Sequence, residues 1–162
     1  VGPLKHRGFT LVEILVVLLV LGVALALVAA NVVGDERREV AREAKRLAGA
    51  LEHAASLAQW RAEPVGVSAE GGGYRFWRRD EDGRWIAFSG DDVLAARSLP
   101  GGLTVAPVSY AGAPVAAHAI LPLRPSGRNE PYTLRLDAAV ASAVIESDPL
   151  NRVRYAVTAR EK

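Results

Sequence analysis

The chain has 162 residues, a formal net charge of +2 and no cysteine. Without cysteine there is no disulfide framework, thiolate metal site or cysteine nucleophile. A balance this close to neutral gives no chain-wide attraction to nucleic acid, so any basic patch must be local.

The first element is hydrophobic. Lys5 and Arg7 form a short basic leader that ends at Gly8, and between Phe9 and Gly34 the single charge is Glu13. About 18 apolar residues in a row suffice to cross a bilayer as a helix. An acid inside such a run costs roughly 2.5–3.5 kcal/mol at mid-helix and less near an end, so it reads as functional. A secretory signal peptide would explain the basic start and the alanines after Val23, but the run is longer than the usual h-region of about 7–15 residues. An ordinary anchor oriented by Lys5 and Arg7 explains length and topology but not Glu13.

Charge resumes with Asp35-Glu36-Arg37-Arg38-Glu39, without a breaker. Val40, Ala44, Leu47, Leu51, Ala54 and Ala58 then recur every three or four residues, which predicts one apolar stripe on an amphipathic helix. Neighbouring charges at Glu39, Arg42, Glu43 and Arg46 mix favourable and unfavourable spacings, so local pairing is not what stabilises it. The stripe's small residues suit close approach to a sheet. Pro64 places the helix end near Ala62. Continuous from Phe9, such a helix would be about 80 Å long.

After Pro64 the period becomes two. Strands are predicted at Val65–Ala69, Tyr74–Arg79, Arg84–Phe88, Leu103–Ser109, Ala117–Leu123, Tyr132–Asp137, Ala143–Glu146 and Arg152–Thr158, separated by glycine-bearing turns. Asp82-Gly83 is the best hairpin signal among them. The fold class is therefore α+β, a long N-terminal helix packed on a small antiparallel β-sandwich or sheet.

No residue pattern announces catalysis or a cofactor. His6, His53 and His118 are far apart and without ligand spacing. Asp80-Glu81-Asp82-Gly83 lacks the recurring ligands of a calcium loop and reads as a solvated turn. Asp91-Asp92, Ser126 and Ser147 come with no base. Tyr74-Arg75-Phe76-Trp77-Arg78-Arg79 interleaves aromatics with arginines, as single-strand binders do, and equally fits a half-buried hairpin.

Gly8-Phe9-Thr10-Leu11, Glu13 and the unbroken apolar run resemble the class III leader and N-terminus of type IV pilins and pseudopilins. The resemblance implies cleavage after Gly8 by a prepilin peptidase, methylation of the new amine on Phe9, and a role for Glu13 in neutralising that amine on a neighbouring subunit during assembly. It divides the chain into a cleaved leader (1–8), a transmembrane and filament-core half of the helix (9–34), an amphipathic half (35–62) and a periplasmic β-rich domain (63–162). The N-terminus would be cytoplasmic and the chain a single-pass protein of the bacterial inner membrane.

Further along, Trp60-Arg61-Ala62-Glu63-Pro64-Val65-Gly66-Val67, Trp85, Arg97-Ser98-Leu99-Pro100-Gly101-Gly102 and Leu121-Pro122-Leu123-Arg124-Pro125-Ser126-Gly127 are similar to the GspH/FimT family. This implies a non-enzymatic, H-type minor pseudopilin of a type II secretion system. Its implied partners are the I-, J- and K-type tip subunits, the G-type major subunit and the peptidase-methyltransferase, with no cofactor or metal. The alternative is a FimT/FimU-like minor type IV pilin in pilus assembly or DNA uptake. Arg152-Val153-Arg154 resembles the Gly-Arg-x-Arg element of those pilins, with Asn151 where the glycine would stand. Arg152 and Arg154 are the DNA-contact candidates under that alternative.

Overall fold

The computed structural model describes residues 11–160, and for residues 29–33 the backbone alone. Leu11–Arg61 is a 51-residue helix, α1. The chain divides into two units, one ending at Asp35 and the other starting at Glu36.

In the second unit α1 lays one stripe onto the core. Val40, Ala44, Leu47, Leu51, Ala54 and Ala58 are fully buried, and Ala50 and Ala55 nearly so. The helix then stops in two hydrogen bonds. The Ala62 N–H donates to Gln59 C=O (3.3 Å) and the Glu63 N–H to Ala58 C=O (3.2 Å). This paired arrangement closes a helix through a left-handed residue, here Ala62 at φ 54°. The methyl group there costs about 1–2 kcal/mol. Glycine would relieve that strain but add about 0.4–1 kcal/mol of unfolded-chain entropy. Ala62→Gly should therefore stabilise the domain by roughly 0.5–1 kcal/mol. Thermal unfolding checks it, and a lower melting temperature would refute this account of the cap.

Ten strands follow: β1 Val65–Glu70, β2 Gly73–Arg79, β3 Trp85–Ala87, β4 Arg97–Ser98, β5 Thr104–Tyr110, β6 Ala113–Pro114, β7 Leu121–Leu123, β8 Tyr132–Asp137, β9 Ala141–Ser147 and β10 Val153–Ala159. One sheet runs β3-β2-β1-β7 with β4 also on β2, and the other runs β10-β9-β8-β5-β6. The pairings are antiparallel. The two sheets are stitched where the Val105 N–H donates to Gly71 C=O (2.7 Å). Phe76, Val67 and Leu123 from the first sheet and Val105, Leu134, Leu136 and Ile145 from the second fill one core with the helix stripe.

All eight predicted strands are present, Tyr132–Asp137 with its predicted bounds and the others with one or both ends shifted. Ala117–Leu123 shrinks to β7, because Ala116–Ala119 forms a turn in which the Ala119 N–H donates to Ala116 C=O. The Asp82-Gly83 hairpin joins β2 to β3, with Trp77 opposite Ala87 and Arg79 opposite Trp85. β4 and β6, two residues each, carry no period for a sequence to show. β4 can approach β2 because Gly73 has no side chain. A Cβ there would sit 2.5 Å from the Arg97 carbonyl oxygen.

Candidate assembly site

The first unit is a helical run suited to lipid. Leu11–Val28 is long and apolar enough to cross a membrane by length and composition, and its side chains are exposed. Glu13 lies in the helix's first turn and is exposed as well. An acid there complements the positive end of the helix dipole. Gly8 and Phe9, the cleavage and methylation candidates, lie outside the described residues.

In the second unit the helix is fastened to both sheets by polar groups that local spacing did not reveal. Glu43 is buried beside the apolar stripe, its side chain 4% exposed, and takes a two-pronged bond from Arg97. Nε donates to Oε2 at 2.9 Å and Nη2 to Oε1 at 2.6 Å. Arg97's hydrogen bond holds the Glu43 carboxyl below its usual range against the opposing effect of burial, and Glu43 raises Arg97 in return. Nearer the helix end, His53 Nε2 lies 2.9 Å from Asp91 Oδ2. Asp91 Oδ1 accepts the N–H groups of Val93 and Leu94, which orders the loop that buries Leu94. The His53 bond is the main cause that lowers the Asp91 carboxyl.

Toward the other sheet, Glu36 accepts the Val140 N–H (2.6 Å) and Glu52 accepts the Val153 N–H (3.1 Å). A signal for one of these was present: Glu43 precedes Ala44 within the buried stripe, where an acid needs a partner.

The aromatic–arginine stretch divides by strand alternation. Tyr74 and Phe76 point into the core. Trp77 and Trp85 lie on the other face, under their own arginines. Arg75 stands 5.5 Å from the Trp77 ring centre and Arg79 4.7 Å from that of Trp85. Trp77 also donates its indole N–H to Ser68 Oγ (2.8 Å). These rings are already stacked.

Arg152 and Arg154 come together on one face, beside acids. Arg152 Nε donates to Asp148 Oδ2 (2.7 Å), and Arg154 stands across the ladder from Glu146. Asp148 is held below the usual carboxylate range, chiefly by the backbone N–H of Arg152. A depression of about 500 Å³ is lined by both arginines together with Glu146 and Asp148. Asn151 adopts φ 62°, a conformation that glycine takes freely and asparagine tolerates. Its side chain joins the turn to Asn129 (2.7 Å) and to the Gly127 carbonyl (3.1 Å). The exchange of glycine for asparagine thus keeps the turn and adds a brace. Asp80 and Asp82 bind Arg84 within their own hairpin, and among the described residues no His/Asp/Glu group is placed to hold a metal.

The family described as type II transport protein GspH matches residues 43–155, and the prokaryotic N-terminal methylation motif matches residues 3–29. The type II secretion system protein H of Aeromonas hydrophila is 32% identical over 100 residues, an alignment covering 59% of this chain and 55% of that relative. Two structures of the Vibrio cholerae minor pseudopilin EpsH share the fold. One has TM-score 0.60 and 18% identity, covering 73% of this chain and 96% of that one. The other has 0.61 and 16%, covering 78% and 98%. The solution structure of E. coli GspH gives 0.52 and 18%, covering 67% and 82%. With its helix stripe under two antiparallel sheets and a match through most of both, the chain belongs to the GspH family of type II transport proteins.

Proposed function

We propose that the protein is a minor pseudopilin of a type II secretion system, a structural subunit near the tip of a short periplasmic filament that helps drive folded proteins across the outer membrane. One observation carries this reading. A GspH-family domain follows, in the same chain, an apolar helix with one acid in its first turn. Such a helix can wait in the inner membrane, single-pass with its N-terminus cytoplasmic, and later pack among other helices. The prepilin peptidase cuts after Gly8 and methylates Phe9. Glycine suits that bond because no Cβ obstructs the protease. The new amine is a cation in an apolar setting, and Glu13 of a neighbour is its counterion. The partners are the I-, J- and K-type tip subunits and the G-type major subunit.

The DNA-binding alternative finds little support in the C-terminal arginines. Arg152 is tied to Asp148, and the depression beside it mixes both signs of charge. Stacking by Trp77 and Trp85 would first have to displace Arg75 and Arg79.

The test is a chromosomal Gly8→Leu replacement. Uncleaved precursor should accumulate in the membrane, and substrates of the secretion system should stay in the periplasm. Normal maturation of this variant would overturn the cleavage assignment. Normal export with impaired DNA uptake would favour the minor-pilin alternative.

A further inference from the structure

The edge strand β10 closes the second sheet with seven residues in unbroken register against β9. Parity sorts its backbone groups. The Asp148 N–H donates to Arg152 C=O and the Arg160 N–H to Val140 C=O, so the even-numbered residues face β9. Val153, Tyr155, Val157 and Ala159 therefore aim their N–H and C=O groups outward. Among the described residues the Val153 N–H alone of these has a partner, and that is a carboxylate oxygen of Glu52 standing where a strand's carbonyl would stand.

Free edges are usually blunted by shortness, proline, a bulge or charge. Among the described residues, β3, β6 and β7 at the other edges are short. β3 and β7 have three residues and β6 has two. In β7, Pro122 has no N–H, and its carbonyl accepts the Tyr110 hydroxyl (3.1 Å). β10 has no proline and no bulge, and Arg154 is its one charged side chain.

We infer that β10 is a docking edge that takes up one extended segment of a neighbouring pseudopilin, which lengthens the sheet by backbone hydrogen bonds and sets an acidic side chain beside Arg154. A row of alternating donors and acceptors is complementary to another extended backbone. On the core side Tyr155, 41% exposed, and half-buried Val157 offer the incoming strand an apolar surface. On the other side Arg154 is exposed, across the ladder from Glu146. Charge argues against a second copy as the occupant, because β10 itself contains no acid. The partner class rests on the subunit reading above.

The test uses the full chain in detergent and the co-produced I-, J- and K-type pseudopilins of the same organism. In the wild-type complex the amides of Tyr155, Val157 and Ala159 should exchange with solvent at least tenfold more slowly than in the free protein. Val157→Pro deletes an outward N–H and leaves the bonds to β9 in place, so capture should weaken at least tenfold. Arg154→Glu should weaken it several-fold. Undiminished capture of Val157→Pro, with no slowing of the three amides in the wild type, overturns the edge and leaves the subunit reading standing. Failure of the wild type to capture any pseudopilin overturns both. Slowed β10 amides in the wild type alone, with dimer formation, would overturn the choice of partner. Should Val157→Pro misfold, the wild-type amides decide.

Discussion

Replacing Glu13 by valine should leave the protein in the membrane fraction while abolishing its entry into filaments. Insertion depends on the apolar run, and losing an acid from it removes a cost of up to about 2.5–3.5 kcal/mol, so the anchor becomes easier to insert. Assembly is the opposite case. If Glu13 neutralises the amine of a neighbouring subunit away from water, its removal strands that cation, at about 3–5 kcal/mol per contact. That is a loss of roughly 150- to several-thousand-fold in the assembly equilibrium. Glu13→Asp keeps the charge and should recover part of it. Fractionation reports insertion, and co-sedimentation with sheared filaments reports assembly. A valine variant that assembles at wild-type levels would remove Glu13 from the mechanism.

The second large effect is expected at Glu43. Its carboxylate is buried and doubly bonded to Arg97, so Glu43→Ala leaves a guanidinium without its counterion and a gap beside the helix stripe. Breaking a buried pair costs about 3–5 kcal/mol, and Arg97's partial access to water places this one near 3 kcal/mol. For a domain of this size the melting temperature should fall by about 10 °C. The pH dependence has a definite sign. The folded Glu43 carboxyl titrates below its ordinary value, so the pair's contribution is complete above that value and drains away as pH falls through the depressed one. Glu43→Gln should therefore flatten the acid side of a stability–pH curve. An unchanged acid limb would show that the pair does not act as a charged bond.

Helix and turns were readable because each leaves a local mark. The stripe from Val40 to Ala58 is fixed by a 3.6-residue period, and all six of its predicted members are buried. Asp82-Gly83 marks a hairpin by its own backbone preference. Strand order left no such mark. That β7 lies against β1 and β5 against β8 follows from how the core closes, which no short window contains. The same holds for Glu43, whose partner is 54 residues away, and for Glu36 and Glu52, whose partners are backbone N–H groups more than a hundred residues along. Glu13 stands out by its setting, a charge in an apolar run; the structure places it in the helix's first turn, and its assembly role is a proposal. Gly8 and Phe9 were legible as a motif and lie outside the described residues.

The four polar fastenings of the helix also have a mechanical meaning. Apolar stripes of alanine are slippery, since one small side chain replaces another at little cost when a helix turns about its axis. Glu36 and Glu52 hold one sheet at points about 24 Å apart, and Glu43 and His53 hold the other side at points about 15 Å apart. Two bolts on each flank stop swivel and slip together. Torque or thrust applied to this stretch of helix therefore passes into both sheets as directional bonds under load.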